Sequence, residues 1–312
     1  MAMAATRDGY GEALVALGEK NGKVIVLSAD LTESTRSKAF AEQFPERFVE
    51  VGVAEQNLAG LAAGMALAGY IPFMSSFAVF SPGRNWDQIR VSICYTAANV
   101  KIAGGHTGIS VGPDGATHQA MEDIALTRVL PNMAVVAPAD SLEAAKATLA
   151  AASLEGPVYL RFGRPQAPVF TTRTSPFEIG VANVLAAGTD VTIIACGPMV
   201  YTSLEAALEL GKKHGVKAEV INCHTIKPLD VKTLAASAKK TGAVVTAEEH
   251  QIHGGLGGAV AEALAERAPV VMRFVGMPDA FGESGEAQEL LEKYGMTKEK
   301  IVAQSLAVIK EK

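Results

Sequence analysis

The sequence predicts an α/β fold in which parallel β-sheets are covered by helices, arranged as a larger domain followed by a smaller one. Short apolar runs rich in β-branched residues alternate with stretches of helical periodicity along most of the chain. This alternation is typical of βαβ units and of a parallel sheet covered on both faces. It stops over residues 163–180, where Pro, Thr and Arg are frequent. The length of 312 residues fits one or two domains.

In the first half, the alternation defines a domain over residues 1–165. The helices are expected at residues 7–20, 36–43, 55–69, 84–97, 121–129 and 140–153. The strands are expected at residues 24–30, 48–53, 71–80, 100–105, 133–138 and 157–162, the third of them ending in a loop. A glycine-rich loop is expected at 106–117 and a linker at 166–180.

After the linker, the alternation begins again and predicts a second, smaller α/β domain over residues 181–312. Its strands are expected at residues 191–197, 218–224, 243–250 and 270–276. Its helices are expected at residues 199–213, 231–240 and 257–267.

Composition and charge argue against several classes of function. The formal net charge is −5, without the clustered Lys and Arg of a nucleic-acid-binding protein. Cys94, Cys196 and Cys223 are far apart, which indicates small buried residues in a reducing, cytoplasmic compartment. The N-terminal segment has early acidic residues and no apolar run of the signal-peptide type. Pro72 and the serines after it interrupt the longest apolar run, so no membrane-spanning helix is expected.

A single carboxylate, Glu55, stands at the head of a long uncharged stretch. No Asp, Glu, Lys or Arg occurs between it and Arg84. Glu55 follows a predicted strand and opens a predicted helix, which is also where an ordinary N-terminal helix acid would lie. Gly60, Gly64 and Ala68 share one face of that helix, so a second helix can approach closely at a protein interface. A carboxyl group held there loses water and can share a proton with a basic nitrogen of a ligand.

The glycine-rich segment 104–123 is the second candidate. It carries five glycines together with His106, Asp114 and His118. Glycines let backbone amides approach a ligand, and histidines that titrate near neutrality can donate to hydroxyl groups or phosphate. A flexible surface loop with incidental histidines is the alternative. The combination of two His and one Asp on one loop favours a binding site, although it has neither zinc-ligand spacing nor a phosphate-loop motif.

Ser34 and several arginines are candidates for binding an anion. Ser34 follows a buried strand, at the sheet edge where ligands bind in parallel sheets, although a helix cap would also explain it. Arg7 opens the first helix and is expected at the same sheet edge as Ser34, and Arg161 and Arg164 follow the last strand of the first domain. Arginine is the preferred bidentate partner of phosphate. The glycine-rich run at residues 254–258 also opens a helix, but a packing role is favoured there over a phosphate site.

Taken together, several motifs resemble those of the transketolase family of thiamine diphosphate enzymes. They are GVAEQN, GPDGATHQ, IKPLD, EEHQIHGGLGGAVAE and FGESG. The resemblance covers nearly the whole chain and matches the C-terminal half of a transketolase. It implies a pyrimidine-binding domain followed by the smaller transketolase C-terminal domain. The activity that it implies is transfer of a two-carbon ketol unit from a ketose phosphate to an aldose phosphate.

The resemblance also implies roles for the candidate residues. Glu55 matches the catalytic acid that bonds N1′ of the cofactor's aminopyrimidine and favours its imino tautomer. Three residues match positions around the cofactor, and no aromatic matches the third ring of the family's pocket, since Gly83 stands in that region. The cofactor residues are Phe77, Phe80 and Asp30. The sugar-phosphate residues are His106, His118, Asp114, Arg7, Ser34 and Arg164, with both histidines also catalytic and with Arg164 favoured over Arg161.

One missing motif bears on the architecture that the resemblance implies. The family holds the diphosphate and a divalent metal on another domain, through a Gly-Asp-Gly motif followed by an Asn, and this sequence lacks that pattern. The chain therefore resembles the C-terminal subunit of a split transketolase, in which the N-terminal partner mainly holds the diphosphate group of thiamine diphosphate and Mg²⁺. A heterotetramer with two copies of each subunit is expected, with no metal ligand on this chain. The alternatives are half of a deoxyxylulose-phosphate synthase or 2-oxoacid dehydrogenase, and a non-catalytic scaffold subunit.

Overall fold

The computed structural model describes all residues, 1–312, and confirms the α/β fold with mainly parallel sheets. The strands are β1 (Met3–Ala5), β2 (Val24–Ser28), β3 (Phe48–Glu50), β4 (Ile71–Phe77), β5 (Lys101–Gly105), β6 (Ala134–Val136), β7 (Val158–Arg161), β8 (Gln166–Pro168), β9 (Asn183–Ala186), β10 (Val191–Ala195), β11 (Ala218–Asn222), β12 (Thr225–Lys227), β13 (Ala243–Gln251) and β14 (Val271–Met277). The helices are α1 (Thr6–Lys20), α2 (Lys38–Gln43), α3 (Glu55–Leu67), α4 (Trp86–Gln88), α5 (Asp123–Arg128), α6 (Ser141–Ser153), α7 (Met199–His214), α8 (Val231–Thr241), α9 (Leu256–Arg267), α10 (Ala287–Lys293) and α11 (Lys298–Ile309).

The larger sheet has seven strands in the order β12-β6-β7-β5-β4-β2-β3. All neighbouring pairs are parallel except β12 with β6. Strand β2 is apolar over Val24–Leu27 because both of its faces are covered: Val24 and Val26 pack into the cluster that contains Leu14 of α1, and Leu27 packs on the other face with Leu58 of α3. Parallel strands place their carboxyl ends at one edge, so β2, β4, β5 and β7 deliver their following loops to a common place.

The smaller sheet has five strands in the order β14-β13-β10-β11-β9, of which only β9 runs antiparallel to its neighbour. Strand β12, which belongs to the second half of the chain, pairs with β6 at the edge of the larger sheet. Buried residues of both halves form one continuous cluster, in which Tyr159 of β7 and Ile194 of β10 take part. The two sheets are therefore joined by a shared core.

Several elements differ from the sequence prediction. Strand β8 pairs with β1 inside the segment expected to be a linker, and β9, β12, α10 and α11 were not predicted. Strands β8 and β12 have three residues each, which is too short to show a period of two, so only their pairing in the folded chain reveals them. The predicted helix over 84–97 is α-helical only at Trp86–Gln88 and continues as a π-helix over Ile89–Tyr95. No helix is both long and apolar enough to cross a membrane.

Candidate active site

Glu55 begins helix α3 and is almost completely buried, with 1% of its surface exposed. The preceding residue, Ala54, offers no capping side chain. A carboxylate in the first turn is favourable there because the helix N-terminus carries a partial positive charge. Asn85 also donates to the Glu55 backbone carbonyl at 3.0 Å and to Ser81 Oγ at 3.2 Å. These contacts fix the backbone from which the carboxylate projects.

The Glu55 carboxylate is paired with Arg84. Arg84 Nη1 donates to Glu55 Oε2 at 2.6 Å, and the arginine side chain remains 47% exposed. The guanidinium carbon lies 4.6 Å from the centre of the Phe80 ring. A flat cationic group therefore contacts the acid and the face of an aromatic ring at the same time.

The backbone at Gly83, where the resemblance provides no match for a third aromatic residue, leaves no space for a side chain. A Cβ atom at this position would lie 2.0 Å from the backbone oxygen of Val79. Any side chain would displace the turn that carries Phe80. The backbone thus excludes an aromatic residue at position 83, and the flat group that lies over Phe80 is the guanidinium of the adjacent Arg84.

Aromatic contacts connect this region to the glycine-rich loop. The Phe77 and Phe80 rings are nearly parallel, with centres 6.2 Å apart. The His106 ring stacks on Phe77 at 3.7 Å, and His118 meets Phe80 edge-on at 5.4 Å. Both histidines therefore lie beside the phenylalanines that follow from strand β4 and its carboxyl end.

The electrostatics of His106 differ from the sequence expectation. Burial, followed by the charges of Arg7 and Arg164, lowers the pKa of His106 to about 3. The expectation that this histidine titrates near neutrality is therefore wrong. Arg7 Nη1 lies 3.3 Å from His106 Nε2, and a guanidinium can only donate. The neutral ring consequently accepts at Nε2 and carries its proton on Nδ1, a buried atom without a hydrogen-bond partner in the chain.

Arg7 and Ser34 meet although they are distant in sequence. Arg7 Nη1 donates to the backbone oxygen of Ser34 at 2.9 Å. It is the Ser34 carbonyl, and not its hydroxyl, that makes this bond. Arg7 Nε is buried and has no partner in the chain, so the arginine keeps an unused donor. The expected proximity of these two residues at one sheet edge is observed.

The two arginines after strand β7 have different surroundings. Arg161 is buried and its Nε donates to Asp123 Oδ2 at 2.8 Å. Arg164 is partly exposed, donates to the Val111 carbonyl at 2.6 Å and lies 3.9 Å from Asp114 Oδ1. Of the two arginines, Arg164 therefore faces the loop and remains accessible to a ligand.

Asp30 and the glycine-rich run at 254–258 take no part in the contacts described above. The Asp30 side chain is exposed and its amide donates to Glu50 Oε1 at 2.6 Å. The first turn of α9 is capped by Glu248, which accepts from the Leu256 amide at 2.7 Å. A Cβ atom at Gly257 would lie 2.6 Å from the Phe274 ring. This run is thus a packing device, as the sequence favoured. No group of three or more His, Cys, Asp or Glu residues is arranged to hold a metal ion.

Sequence reasoning missed Arg84, although a signal was present. Glu55 and Arg84 are the charges that bound the long uncharged stretch. Two opposite charges at the two ends of a stretch without other charged residues are expected to pair when the chain folds, because an unpaired buried carboxylate is costly. Gln119 and Glu249, which anchor the glycine-rich loop, had no signal outside the family motifs.

Comparisons with protein families match both halves of the chain. Residues 2–169 match the family described as transketolase, pyrimidine binding domain. Residues 180–301 match the family described as transketolase, C-terminal domain. Among curated proteins, the chain is 43% identical over 306 residues to the 6-deoxy-6-sulfo-D-fructose transketolase subunit SqwH of Clostridium sp. (strain MSTE9), covering 98% of this chain and 95% of that protein.

Solved structures of transketolases also match nearly the whole chain. The chain superposes on a split gene transketolase, described as an inactive beta4 tetramer, with a TM-score of 0.92 and 51% identity, covering 98% of each chain. It superposes on transketolase from Campylobacter jejuni with a TM-score of 0.84 and 25% identity. That match covers 98% of this chain but 47% of the Campylobacter chain.

Proposed function

Because this chain belongs to the transketolase family and is a subunit of the split kind, we propose that it forms half of a two-carbon transferase. The complete enzyme would transfer a ketol unit from a ketose phosphate to an aldose phosphate. Thiamine diphosphate is the cofactor that both matched domains imply. An N-terminal subunit would hold the diphosphate group and Mg²⁺.

One observation carries this proposal: a continuous line of contacts runs from a buried acid to a basic side chain, that of Arg7. Glu55 contacts Arg84, whose guanidinium lies over Phe80. The line continues through the stacked ring of Phe77 to His106. His106 then contacts Arg7. An acid, an aromatic platform, a neutral imidazole and an arginine in this order suit a nitrogen heterocycle at one end and a sugar phosphate at the other.

The residues at the acid end fit an aminopyrimidine ring. The guanidinium of Arg84 shows that a flat N–H group can contact both the Glu55 carboxylate and the Phe80 ring. An aminopyrimidine that is protonated at its ring nitrogen offers the same combination of a flat face and an N–H donor. We propose that Arg84 turns outward when the heterocycle binds, which its 47% exposure permits.

When bound, thiamine diphosphate supplies the carbon nucleophile that takes up the two-carbon unit. The contribution of this chain is to hold a proton between the Glu55 carboxyl and N1′ of the aminopyrimidine. Neutral His106 can donate from Nδ1 to a substrate oxygen, because its Nε2 already accepts from Arg7. His118 and Asp114 lie on the same loop and are proposed to bind further sugar oxygens. Asp30 is retained as a proposed acid near the cofactor.

The basic end of the site is proposed to bind the substrate's anionic group. Arg7 has an unused buried Nε donor and Arg164 is partly exposed nearby, with their charges acting on each other. Ser34, adjacent to Arg7, completes this clamp. The relative SqwH is named for a sulfonated fructose. A sulfonate, like a phosphate, presents several anionic oxygens to an arginine, and we propose that the clamp can bind either group. Sugar phosphates and their sulfonated counterparts should be compared directly.

The assembly is proposed to contain two copies of this chain and two of the N-terminal subunit. The related split gene transketolase is described as an inactive tetramer of its beta chain alone. We expect this chain by itself to be similarly inactive. The two-domain division at residues 1–165, 166–180 and 181–312 and a cytoplasmic location remain part of this proposal.

The decisive experiment combines the purified chain with its N-terminal partner, thiamine diphosphate and Mg²⁺. Ketol transfer from a ketose phosphate to an aldose phosphate should appear only when both subunits are present. Glu55→Ala should lower turnover by on the order of 10²–10⁴, the usual loss when a proton-transferring group is removed. Turnover is measured by following the aldose released from the donor.

The exposed residue Glu42 on α2 supplies the control, since Glu42→Ala removes a carboxylate far from these contacts and should leave turnover unchanged. Near wild-type turnover in Glu55→Ala would show that the proposed mechanism is wrong. Release of carbon dioxide from pyruvate, without ketol transfer, would identify a different thiamine enzyme. Activity without any involvement of Glu55, Arg7 or His106 would indicate a scaffold subunit.

A further inference from the structure

Two adjacent glutamates of strand β13 are both buried but serve different parts of the molecule. Glu248 is 2% exposed and accepts from the amides of Leu256 and Gly257 at 2.7 and 2.8 Å, within the first turn of α9. Glu249 is 5% exposed and accepts from the Ser110 amide at 2.7 Å. Successive strand residues project to opposite faces. One carboxylate therefore caps a helix of its own domain, and the other reaches the glycine-rich loop.

The loop is shaped to receive the Glu249 carboxylate. Gly108 has a φ of +84°, and a Cβ atom there would lie 2.2 Å from Glu249 Oε1. A side chain at position 108 would therefore prevent the contact with Ser110. The requirement for glycine at this point of the loop comes from the second half of the chain.

Gln119 forms a second tie between the loop and the C-terminal half. Its Nε2 lies 2.8 Å from the Glu283 carbonyl and 3.3 Å from each of the Ile109 and Gly112 carbonyls. A Cβ atom at Gly282 would lie 2.0 Å from Gln119 Oε1. The FGESG segment thus provides a close-fitting backbone surface for the loop.

The end of the loop is tied to the same strand. Arg161 Nη2 donates to the Glu249 backbone carbonyl at 2.8 Å and to Asp123 Oδ1 at 3.1 Å. Arg161 and Asp123 are both buried. Side chain and backbone of Glu249 therefore contact the loop and its anchor.

From these contacts we propose that Glu249 is a positioning residue for substrate binding. Its carboxylate holds segment 104–123, the substrate loop, so that His106, Asp114 and His118 face the sugar phosphate. The C-terminal domain thereby sets substrate affinity, although every site residue named above precedes residue 165. The inference rests on the function proposed for this loop.

The tie does not require a charged carboxylate. Burial raises the pKa of Glu249, but a protonated carboxyl still has a carbonyl oxygen that can accept from the Ser110 amide. A glutamine has the same oxygen at the same reach. Glu249→Gln should therefore preserve the contact, whereas Glu249→Met fills the space and removes the acceptor.

The test measures steady-state kinetics of the assembled enzyme with these two variants. Glu249→Met should raise KM for the sugar phosphates by on the order of tenfold, because a buried amide loses its partner. Its kcat should change less, and its affinity for thiamine diphosphate, measured by calorimetry, should be unchanged. Glu249→Gln should restore wild-type KM. Glu248→Met is the matched control, which should lower the melting temperature without changing KM.

A second measurement follows the loop directly. Hydrogen exchange of peptides within 104–123 should be slow in the wild-type complex and faster in Glu249→Met, and unaffected by Glu248→Met. If Glu249→Met does not fold, Gln119→Met carries the same kinetic test. Fast exchange of the Ser110 amide in the wild-type protein would overturn the proposal without any variant.

The outcomes separate this inference from the proposed function. A wild-type complex without ketol transfer would reject the proposed function, while the exchange data would still test the tie. An active complex in which Glu249→Met keeps wild-type KM and loop exchange would reject the positioning role alone. Equal KM changes in Glu248→Met and Glu249→Met would show that the effect is general destabilisation, and this outcome would also reject the positioning role.

Discussion

At the residue scale, the central feature of the candidate site is the ion pair between Glu55 and Arg84. A buried carboxylate without a partner would be strongly unfavourable. The 2.6 Å contact with Arg84 provides that partner in the isolated chain. Because the arginine is half exposed, the pair can open without burying a second uncompensated charge. The ion pair therefore compensates the buried charge of Glu55 in the isolated chain, and Arg84 can still move away when a ligand binds the carboxylate.

Replacement of Arg84 should reveal this role in the isolated subunit. Arg84→Met removes the charge but keeps an apolar side chain beside Phe80. We expect a loss of about 1–2 kcal/mol in the free energy of unfolding, between the values typical of exposed and buried pairs. Urea unfolding of the isolated chain measures it. Arg90→Met, at an exposed arginine without an ion pair, is the control; equal effects of both variants would contradict the assignment.

Residue-level prediction from the sequence succeeded where a side chain follows a strand end. Arg7 and Ser34 were expected at one sheet edge, and they meet there. The protonation of His106 could not be anticipated, because its pKa depends on burial and on arginines from distant parts of the chain. The separation of two residues along the sequence does not show whether their charges lie close together in the folded chain.

At the element scale, helix α3 has two distinct faces. Leu58, Ala59 and Ala62 are buried in the core. Gly60 and Gly64 are exposed, and a Cβ atom at either would meet no atom within 4 Å. The exposed glycines are therefore not required by the fold of this chain. The small-residue face fits the expected close approach of a partner helix.

A larger side chain on that face should affect assembly and not folding. Gly64→Leu should leave the isolated chain folded, with a gain of up to about 1 kcal/mol in helix propensity. It should weaken association with the N-terminal subunit at least tenfold, as measured by sedimentation of the mixed subunits. Gly211→Leu on α7 is the control, since a Cβ atom at this exposed helical glycine would make only an ordinary contact, 3.9 Å from the Val216 backbone oxygen. Undiminished association of Gly64→Leu would place the interface elsewhere.

The long elements of both sheets were predictable because each shows its period over many residues. Helix α1 and strand β2 lie close to their expected positions. The π-helical segment at Ile89–Tyr95 could not be foreseen, since π- and α-helices share nearly the same apolar spacing. Short strands such as β12 exist only because a neighbouring strand offers them backbone partners.

At the scale of the whole molecule, buried neutral histidines make stability depend on pH. Burial lowers the pKa of His224 to about 4, and His106 is lowered to about 3. In the unfolded chain both return to an ordinary value near 6.5. Below that pH the unfolded state binds more protons than the folded state. The stability that these two histidines contribute is therefore fully present above pH 6.5 and decreases as the pH falls toward their folded-state pKa values.

The contribution of His224 can be isolated by comparing two pH values. Each buried histidine should cost about 2 kcal/mol of unfolding free energy at pH 5 relative to pH 8. His224→Asn should reduce the difference between the two pH values by that amount in urea unfolding experiments. His214→Asn, at an exposed histidine, should leave the difference unchanged. An unaltered pH difference in His224→Asn would show that this histidine is charged in the folded state.

The sequence by itself determined the α/β class and the family, and it provided the candidate site residues as predictions. Apolar periodicity and strand–helix alternation are local properties, and the motifs around Glu55 and the glycine-rich loop lie within short segments. The resemblance that those motifs predicted is confirmed by both family matches. Only the tertiary structure decided how the loop is held, which arginine faces it and what pairs with Glu55. Those features depend on contacts between residues far apart in the chain, such as Ser110 with Glu249, and such contacts exist only once both sheets share a core.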